Sequence, residues 1–305
     1  MSNEILITSN ISLDFTIRNV NRYIDACKDF GYTTRIVHSF NMHQEQDNPY
    51  GVINLAGFPN ESHLRFIRKL EIQGVKVLNP AYNAMIADDK ALFNLEMTKL
   101  NMPVPKTVDL HISNHNRAMP DYIEREVGFP CVIKFPRLGY GIGVHLVKTK
   151  EEFEGIFDLV ALCSSKSANY ISNTNLIAQE YIHETAGRQI KVFVLNKEVI
   201  GSWYYNNPNS WKIGRKGIPG AESLADLANG NVKFELTTID SILEKNCIKI
   251  FDELGINFGC LDVFFGKDGY LFNEINTAPG FDRCYLDNIK VAHLAVEYLI
   301  NSNKS

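Results

Sequence analysis

The sequence predicts a mixed α/β protein, with a small parallel α/β unit first and a longer part of interleaved hairpins and helices after it. Three observations predict this. Over residues 1–86, short apolar runs alternate with amphipathic stretches of helical length, the pattern of a parallel sheet with crossover helices. Beyond residue 86, apolar runs come in pairs separated by turn residues, the pattern of antiparallel hairpins. A chain of 305 residues is long enough to bury a large core divided among two or three lobes.

The elements follow in order. Ile5 to Thr8 is a short buried strand. Asp14 to Phe30 carries Ile17, Val20, Ile24 and Cys27 at helical spacing, and Gly31 stops it. Thr34 to Val37 and Gly51 to Leu55 are further strands. Asn60 is the expected N-cap of a helix with Leu64, Ile67 and Leu70 on one face, ended by Gly74. Val75 to Leu78 is a fourth strand, closed by Asn79-Pro80. The first strand runs into Thr8-Ser9-Asn10 without a Gly-x-Gly-x-x-Gly, so no dinucleotide site is assigned to it.

Past this unit, a helix is expected from Asp88 to Leu100, stopped by Asn101-Met102-Pro103, with an extended stretch at 103–109. A helix over Pro120 to Val127 leads to a strand at Cys131 to Lys134, a glycine-rich loop and a strand at His145 to Val147. Lys150 to Leu162 is helical, and Leu176 to Ile182 is a strand leading into a bend at Ala186-Gly187. Ile190 to Leu195 and Glu198 to Tyr204 form a hairpin. Residues 205–235, rich in Asn, Gly, Lys and Pro, read as a long loop or lid. Helices at Ile239 to Leu254 and Asn288 to Asn301 flank a last hairpin.

Composition excludes several classes. An apolar content of 45% and a charged content of 22% describe an ordinary globular protein. A net charge of −4 gives no general basis for binding nucleic acid. The six cysteines include no Cys-x-x-Cys pair and read as reduced thiols. There is no His-Glu-x-x-His. The N-terminus lacks a signal-peptide pattern and no apolar run reaches the length of a membrane span, so a cytoplasmic protein with no membrane partner is expected.

The last hairpin carries the most informative chemistry. Gly259 to Phe265 is an apolar strand interrupted by Asp262, Gly266-Lys267-Asp268-Gly269 is a turn, and Tyr270 to Asn276 returns. Alternation puts Glu274 and Asn276 on one face, and pairing brings Asp262 beside them. Two carboxylates and a carboxamide form a hard-oxygen cluster suited to Mg²⁺, or to Mn²⁺ in its place. The alternative is a pair of solvated acids on an edge hairpin. The almost entirely apolar flanks and the Thr277-Ala278-Pro279-Gly280 turn favour the metal, because a charge buried among them needs a partner.

Other groups suit a nucleotide. Lys134 ends a strand and is followed by Gly139, Gly141 and Gly143, whose backbone N–H groups can approach phosphates closely; a flexible turn would look the same. No Gly-Lys-Ser/Thr follows, so this is a flap between antiparallel strands and not a P-loop. Lys90, in the first turn of its helix, opposes the helix dipole and calls for an anionic partner unless it is simply solvated. Gln179-Glu180-Tyr181-Ile182 ends an apolar strand whose backbone could pair with an adenine edge. His145 and His183 read as surface or packing residues, and Cys260 as core.

Taken in order, these motifs resemble the ATP-grasp superfamily of carboxylate–amine ligases over nearly the whole chain. Within it, Met102-Pro103-Val104-Pro105-Lys106-Thr107 is similar to the lead-in of the ribosomal-protein glutamate ligases and their peptide-ligase relatives. The tail Asn273 to Phe281 also resembles the D-alanine–D-alanine ligases. The resemblance implies an α+β ATP-grasp fold: an N-terminal α/β domain at 1–86, a first lobe with the flap at 87–182 and a second with the metal site at 183–305, the two lobes sandwiching ATP.

The resemblance also implies roles. Lys90 and Lys134 would contact ATP phosphates under the Gly139–Gly143 flap. Glu180, Tyr181 and Ile182 would line the adenine pocket. Asp262, Glu274 and Asn276 would hold one or two Mg²⁺ ions. The implied reaction phosphorylates a carboxylate to an acylphosphate, and an amine then displaces phosphate to leave an amide. The carboxylate belongs to an amino acid or peptide, and two copies could pair through the N-terminal unit as a homodimer.

Three departures from the pattern concern the substrate. Gln189 stands where an acid usually holds the ribose, and Lys191 where an arginine is usual. Trp211-Lys212-Ile213-Gly214 replaces a Phe-Arg-x-Asn, making Lys212 the implied phosphate or carboxylate contact. Cys260 stands where the D-alanine ligases carry an arginine. Arg137, Arg215, Lys216 and Arg283 are candidates for gripping a carboxylate, and Tyr204, Tyr205 and Trp211 for lining an acceptor pocket. Two alternatives stay open: a kinase of the same fold acting on a small molecule, and a non-catalytic nucleotide-binding protein.

Overall fold

The computed structural model describes residues 3–9, 14–38, 48–56, 61–111, 118–139, 141, 143–166, 175–208, 210–211 and 233–303. Among the described residues the strands form three sheets. The first begins with β1 (Glu4–Ser9), followed by α1 (Asp14–Asp29), β2 (Thr33–His38), β3 (Gly51–Asn54), α2 (Glu61–Ile72) and β4 (Lys76–Leu78). All its pairings are parallel, in the order β2-β1-β3-β4. Gly31 and Gly74 take φ of +80° and +86°, the left-handed conformation in which glycine ends a helix without a Cβ penalty. The expected cap Asn60 lies outside the described residues.

The helix expected from Asp88 to Leu100 is α4 (Lys90–Lys99), and a helix not expected from the sequence, α3 (Ala81–Asp88), ends just before it. Asp89 breaks them with extended backbone (φ −96°, ψ 109°), and its side chain accepts from the Ala91 and Leu92 N–H groups. An acid that caps the second helix ends the first.

The second sheet combines β5 (Thr107–His111), β6 (Cys131–Lys134), β7 (His145–Val147) and β8 (Asn175–Glu180) in the antiparallel order β5-β8-β6-β7. Helices α5 (Met119–Glu126) and α6 (Lys150–Lys166) supply Ile123, Phe153 and Phe157 to a core that takes Cys131, Ile133, Leu176 and Ala178 from one face of the sheet. The register puts Val132, Lys134, Ile177 and Gln179 on the other face.

A 3₁₀ turn at His183–Thr185 leads to the third sheet, β9 (Arg188–Leu195), β10 (Glu198–Asn206), β11 (Lys233–Leu236), β12 (Phe258–Gly266) and β13 (Gly269–Asn276), ordered β11-β10-β9-β12-β13. Strand β11 corrects the expected loop at 205–235. Lys233-Phe234-Glu235-Leu236 pairs with Trp203 to Asn206, and the Phe234 ring lies nearly parallel to Trp203 at 6.5 Å. Residues 212–232 of the expected lid lie outside the described residues. Helix α7 (Ser241–Glu253) covers one face of the sheet, where Val192, Leu261, Val263, Phe272 and Ile275 meet Ile250, Phe251 and Phe93. The chain ends in α8 (Asp282–Leu286) and α9 (Val291–Ser302). Helix α9 is the one expected from Asn288, begun three residues later after Asn288 takes a positive φ of 62°, and α8 was not expected.

Among the described residues, no helix is long and apolar enough to cross a membrane.

Candidate active site

Strands β12 and β13 bring the acids together through a shift of register between Asp262 and Val263. Asp262 pairs directly with Glu274, Cys260 pairs with Asn276, and Lys191 of β9 lies opposite Asp262 on the other side. One sheet face therefore presents Lys191, Asp262, Glu274 and Asn276 side by side. Neither acid is a solvated edge residue: Asp262 is 4% exposed and the Glu274 side chain 20%.

Each acid faces an ammonium. Lys191 Nζ lies 2.7 Å and 2.9 Å from the two oxygens of Asp262. Burial opposes the Lys191 charge, but the Asp262 carboxylate outweighs it and raises the lysine pKa. Burial likewise pushes the Asp262 carboxyl up, and Lys191 pulls it back. Lys90 Nζ lies 2.8 Å from Glu274 Oε2. Burial alone would raise the Glu274 carboxyl, but Lys90 and then Lys134 bring it down to about 2. Lys90 also donates to the Leu138 carbonyl at 2.9 Å, joining the flap root to the acidic strand. This is the anionic partner that its place at a helix N-terminus demanded.

Lys134 differs from these two. Its ammonium is buried and donates to Gln179 Oε1 at 2.8 Å and Asn273 Oδ1 at 3.4 Å, both amide oxygens. Burial lowers its pKa to about 8, partly offset by Glu274. Neither Gln179 nor Asn273 was picked out from the sequence for this role. Two polar residues in a row, Asn273-Glu274, break the apolar alternation of β13, and that was the available signal.

The flap root is tethered: Arg137 Nε donates to Asp89 Oδ2 at 2.8 Å and the Lys90 N–H to the Pro136 carbonyl at 3.0 Å. Arg137, considered for gripping a substrate carboxylate, thus has a carboxylate of the chain itself. Gly141 and Gly143 take φ of +68° and +67°, and a Cβ on Gly143 would meet the Phe135 ring at 2.7 Å. Gly139 has open space around it, while Tyr140 and Ile142 lie outside the described residues.

Glu180 accepts from the Lys106 N–H at 3.1 Å and its own N–H donates to the Lys106 carbonyl, tying β8 to the segment before β5. Beyond it, the Tyr181 ring meets His183 and Trp211 edge-on, at 4.7 Å and 6.0 Å, and Ile182 is buried. Gln189 is also buried, at 1% exposure. Tyr204 packs against Phe265, and Tyr205 against Phe234 of β11. Cys260 is buried with Sγ 3.9 Å from Asp262 Oδ1. His145 and His183 lie exposed at the surface. Lys212, Arg215 and Lys216 lie outside the described residues, as does the Arg283 side chain.

Sequence comparison agrees with this geometry. Residues 87–299 match the model of the RimK-like ATP-grasp domain. A probable alpha-L-glutamate ligase of Shewanella baltica is 26% identical over 299 residues, covering 92% of this chain and 91% of its own. Two solved structures share the fold. The D-alanine–D-alanine ligase of Bacillus anthracis complexed with ATP has a TM-score of 0.73 at 12% identity, covering 100% of this chain and 99% of that one. The ATP-grasp ligase PsnB, complexed with a phosphomimetic variant of its minimal precursor, Mg and ADP, has a TM-score of 0.68 at 14% identity, covering 99% of each. With the family match spanning most of its length and both lysine-bearing sheets in place, this chain belongs to the RimK-like ATP-grasp domain family.

Proposed function

We propose that this chain is an ATP- and Mg²⁺-dependent ligase that joins the carboxylate of an amino acid or peptide to an amine. One observation carries the reading: Lys90, Lys134 and Lys191, from separate elements, surround the adjacent carboxylates Asp262 and Glu274. Three ammoniums suit a triphosphate, and two hard carboxylates suit a divalent cation.

The donor set fits Mg²⁺. Asp262, Glu274 and Asn276 share one face. Glu274 Oε2 is buried and, among the described residues, receives no hydrogen bond of good geometry despite its ion pair with Lys90. A buried carboxylate oxygen whose one partner is an ammonium is open to a cation once that ammonium turns to phosphate. Among the described residues no three His, Cys, Asp or Glu side chains gather into a metal site, here or elsewhere, so the proposed donor set is two carboxylates and a carboxamide. When bound, Mg²⁺ would neutralise charge on the β- and γ-phosphates.

The lysines do the rest by exchanging partners. Lys90 and Lys191 neutralise the acids and would turn to phosphate oxygens when the nucleotide arrives. Lys134, hydrogen-bonded to neutral amides, would meet a phosphate without first giving up a carboxylate. A substrate carboxylate oxygen then attacks the γ-phosphorus, the bond to the β-phosphate oxygen breaks, and ADP leaves. The amine attacks the acylphosphate carbon, phosphate departs with the bonding electron pair, and the amine proton is lost as the amide forms. Charge placement and orientation drive both steps without a protein nucleophile. Tyr181 and Ile182 would border the adenine. Lys212 and Arg215 remain candidates for the substrate side. A reducing compartment such as the cytoplasm suits Cys27, Cys131, Cys247, Cys260 and Cys284, each free and buried.

The test is ADP release over a screen of amino acids and peptides with and without amine acceptors. Amine-dependent ADP release that Glu274→Ala abolishes is expected. Full activity in that variant would remove the metal assignment, and a stable phosphorylated product with no hydroxylamine-trapped acyl group would point to a kinase.

A further inference from the structure

We propose that Asn273 is a positioning residue for Lys134, holding its ammonium from the opposite lobe through a bulge in β13. The proposal rests on the reading that Lys134 meets ATP phosphates.

The register shows the bulge. Asp262 pairs with Glu274 but the next residue, Val263, pairs with Phe272, leaving Asn273 as the extra residue. In a regular strand Phe272 and Glu274 would share a face. Here Phe272 lies in the core with Val263 and Leu261, while Glu274 faces Lys90. Uninterrupted alternation back from Glu274 would point Asn273 into that apolar core. The bulge lets its carboxamide reach Lys134 on the second sheet instead.

The two partners of Lys134 are held differently. Gln179 is anchored in the same sheet as Lys134: its Nε2 donates to Thr107 Oγ1 at 3.1 Å, and Thr107 in turn donates to the Pro105 carbonyl and accepts from Asn94 Nδ2. Asn273 belongs to the third sheet, and its contact of 3.4 Å is the longer one. The short bond fixes the ammonium within its lobe, and the long bond spans the two lobes. Closing the lobes around a nucleotide shortens the second bond and turns the remaining N–H of the ammonium towards the phosphates. Both oxygens are neutral, so they orient the charge without cancelling it. Orientation of Lys134 and closure of the lobes thereby become one event.

The experiment is a double-mutant cycle on the full chain, reading affinity for a non-hydrolysable ATP analogue with Mg²⁺ by calorimetry. Asn273→Leu keeps the side-chain size and removes the acceptor. It should weaken binding roughly tenfold, the worth of a hydrogen bond to a charged group. In a Lys134→Met background the same substitution should change affinity less than about twofold. Lys134→Gln replaces Lys134→Met if that variant does not fold. An Asn273→Leu protein that binds like the wild type, or one whose loss adds fully to that of Lys134→Met, overturns the proposal. A wild-type protein that binds no analogue at all overturns instead the reading on which it rests.

Discussion

Charge balance at single residues decides what the site admits. Lys191 faces both oxygens of Asp262, so a divalent cation approaching that carboxylate meets the charge of an ammonium. Phosphate oxygens offer the ammonium a new partner. Metal and nucleotide should therefore bind as a unit. Lys191→Met tests this, because it leaves Asp262 buried beside Glu274 with no ammonium opposite. Removing one partner of a buried pair costs on the order of 3 kcal/mol, so the thermal midpoint of the variant should fall. Titrated with Mn²⁺ and followed by electron paramagnetic resonance without nucleotide, the variant should bind the ion at least about tenfold more tightly than the wild type. Saturating Mn²⁺ should also recover part of the lost midpoint. Equal Mn²⁺ affinity in the two proteins would show that Lys191 does not guard the carboxylate.

At the scale of elements, the junction of α3 and α4 links helix capping to the flap. Asp89 caps α4 through two backbone N–H groups and with its other oxygen holds Arg137 at the flap root. The two roles can be separated. Asp89→Asn keeps a capping acceptor and loses the ion pair, whereas Asp89→Ala loses both. Asp89→Ala should destabilise the protein by about 1 kcal/mol, and Asp89→Asn by a few tenths. Both should raise the KM for ATP, because the flap root loses its tether in each. A KM that rises only in Asp89→Ala would assign the effect to the helix and not to the flap. This junction also marks the limit of what periodicity reveals. The strands and long helices were legible because apolar spacing reports one buried face. The turn between Gly266 and Gly269 made the hairpin legible, but its register alone pairs Asp262 with Asn273, and the bulge moves Glu274 into that place. Helix α3 was not legible, since its eight residues, mostly apolar, show no clear polar face. The bulge at Asn273 was hidden by the assumption of strict alternation, and β11 by the Gly- and Asn-rich stretch before it. The lysine partners depend on contacts between distant segments, which spacing along the chain does not encode.

Across the whole molecule, the N-terminal sheet packs one face against α2 and leaves the other to later segments of the chain. Ile5, Ile7 and Ile53 share one buried cluster with Phe193, Trp203, Phe258 and Cys260 of the third sheet and with Val291, Ala295, Val296 and Leu299 of α9. The face of the third sheet that carries the acids is therefore apolar further along, and α9 and the N-terminal unit cover that end. Asp282 strengthens the seam by accepting from Arg18 and Arg22 of α1. With one core shared by the first and last segments, unfolding of either should carry the other with it. Leu299→Ala tests this. Leu299 is 1% exposed and packs so closely on β3 that a Cβ on Gly51 would lie 3.0 Å from its Cδ2. Truncation leaves a cavity in a place where backbone lies on one side and cannot collapse inward freely. A loss of about 3 kcal/mol is expected. Denaturant unfolding should be followed by far-ultraviolet circular dichroism and by fluorescence in a Trp211→Phe background, so that emission comes from Trp203, which is fully buried in the shared core. Both signals should shift to lower denaturant together and with an unchanged slope. A Trp203 transition that stays in place while the circular dichroism transition moves would show that the N-terminal unit unfolds separately and that the seam is only a contact.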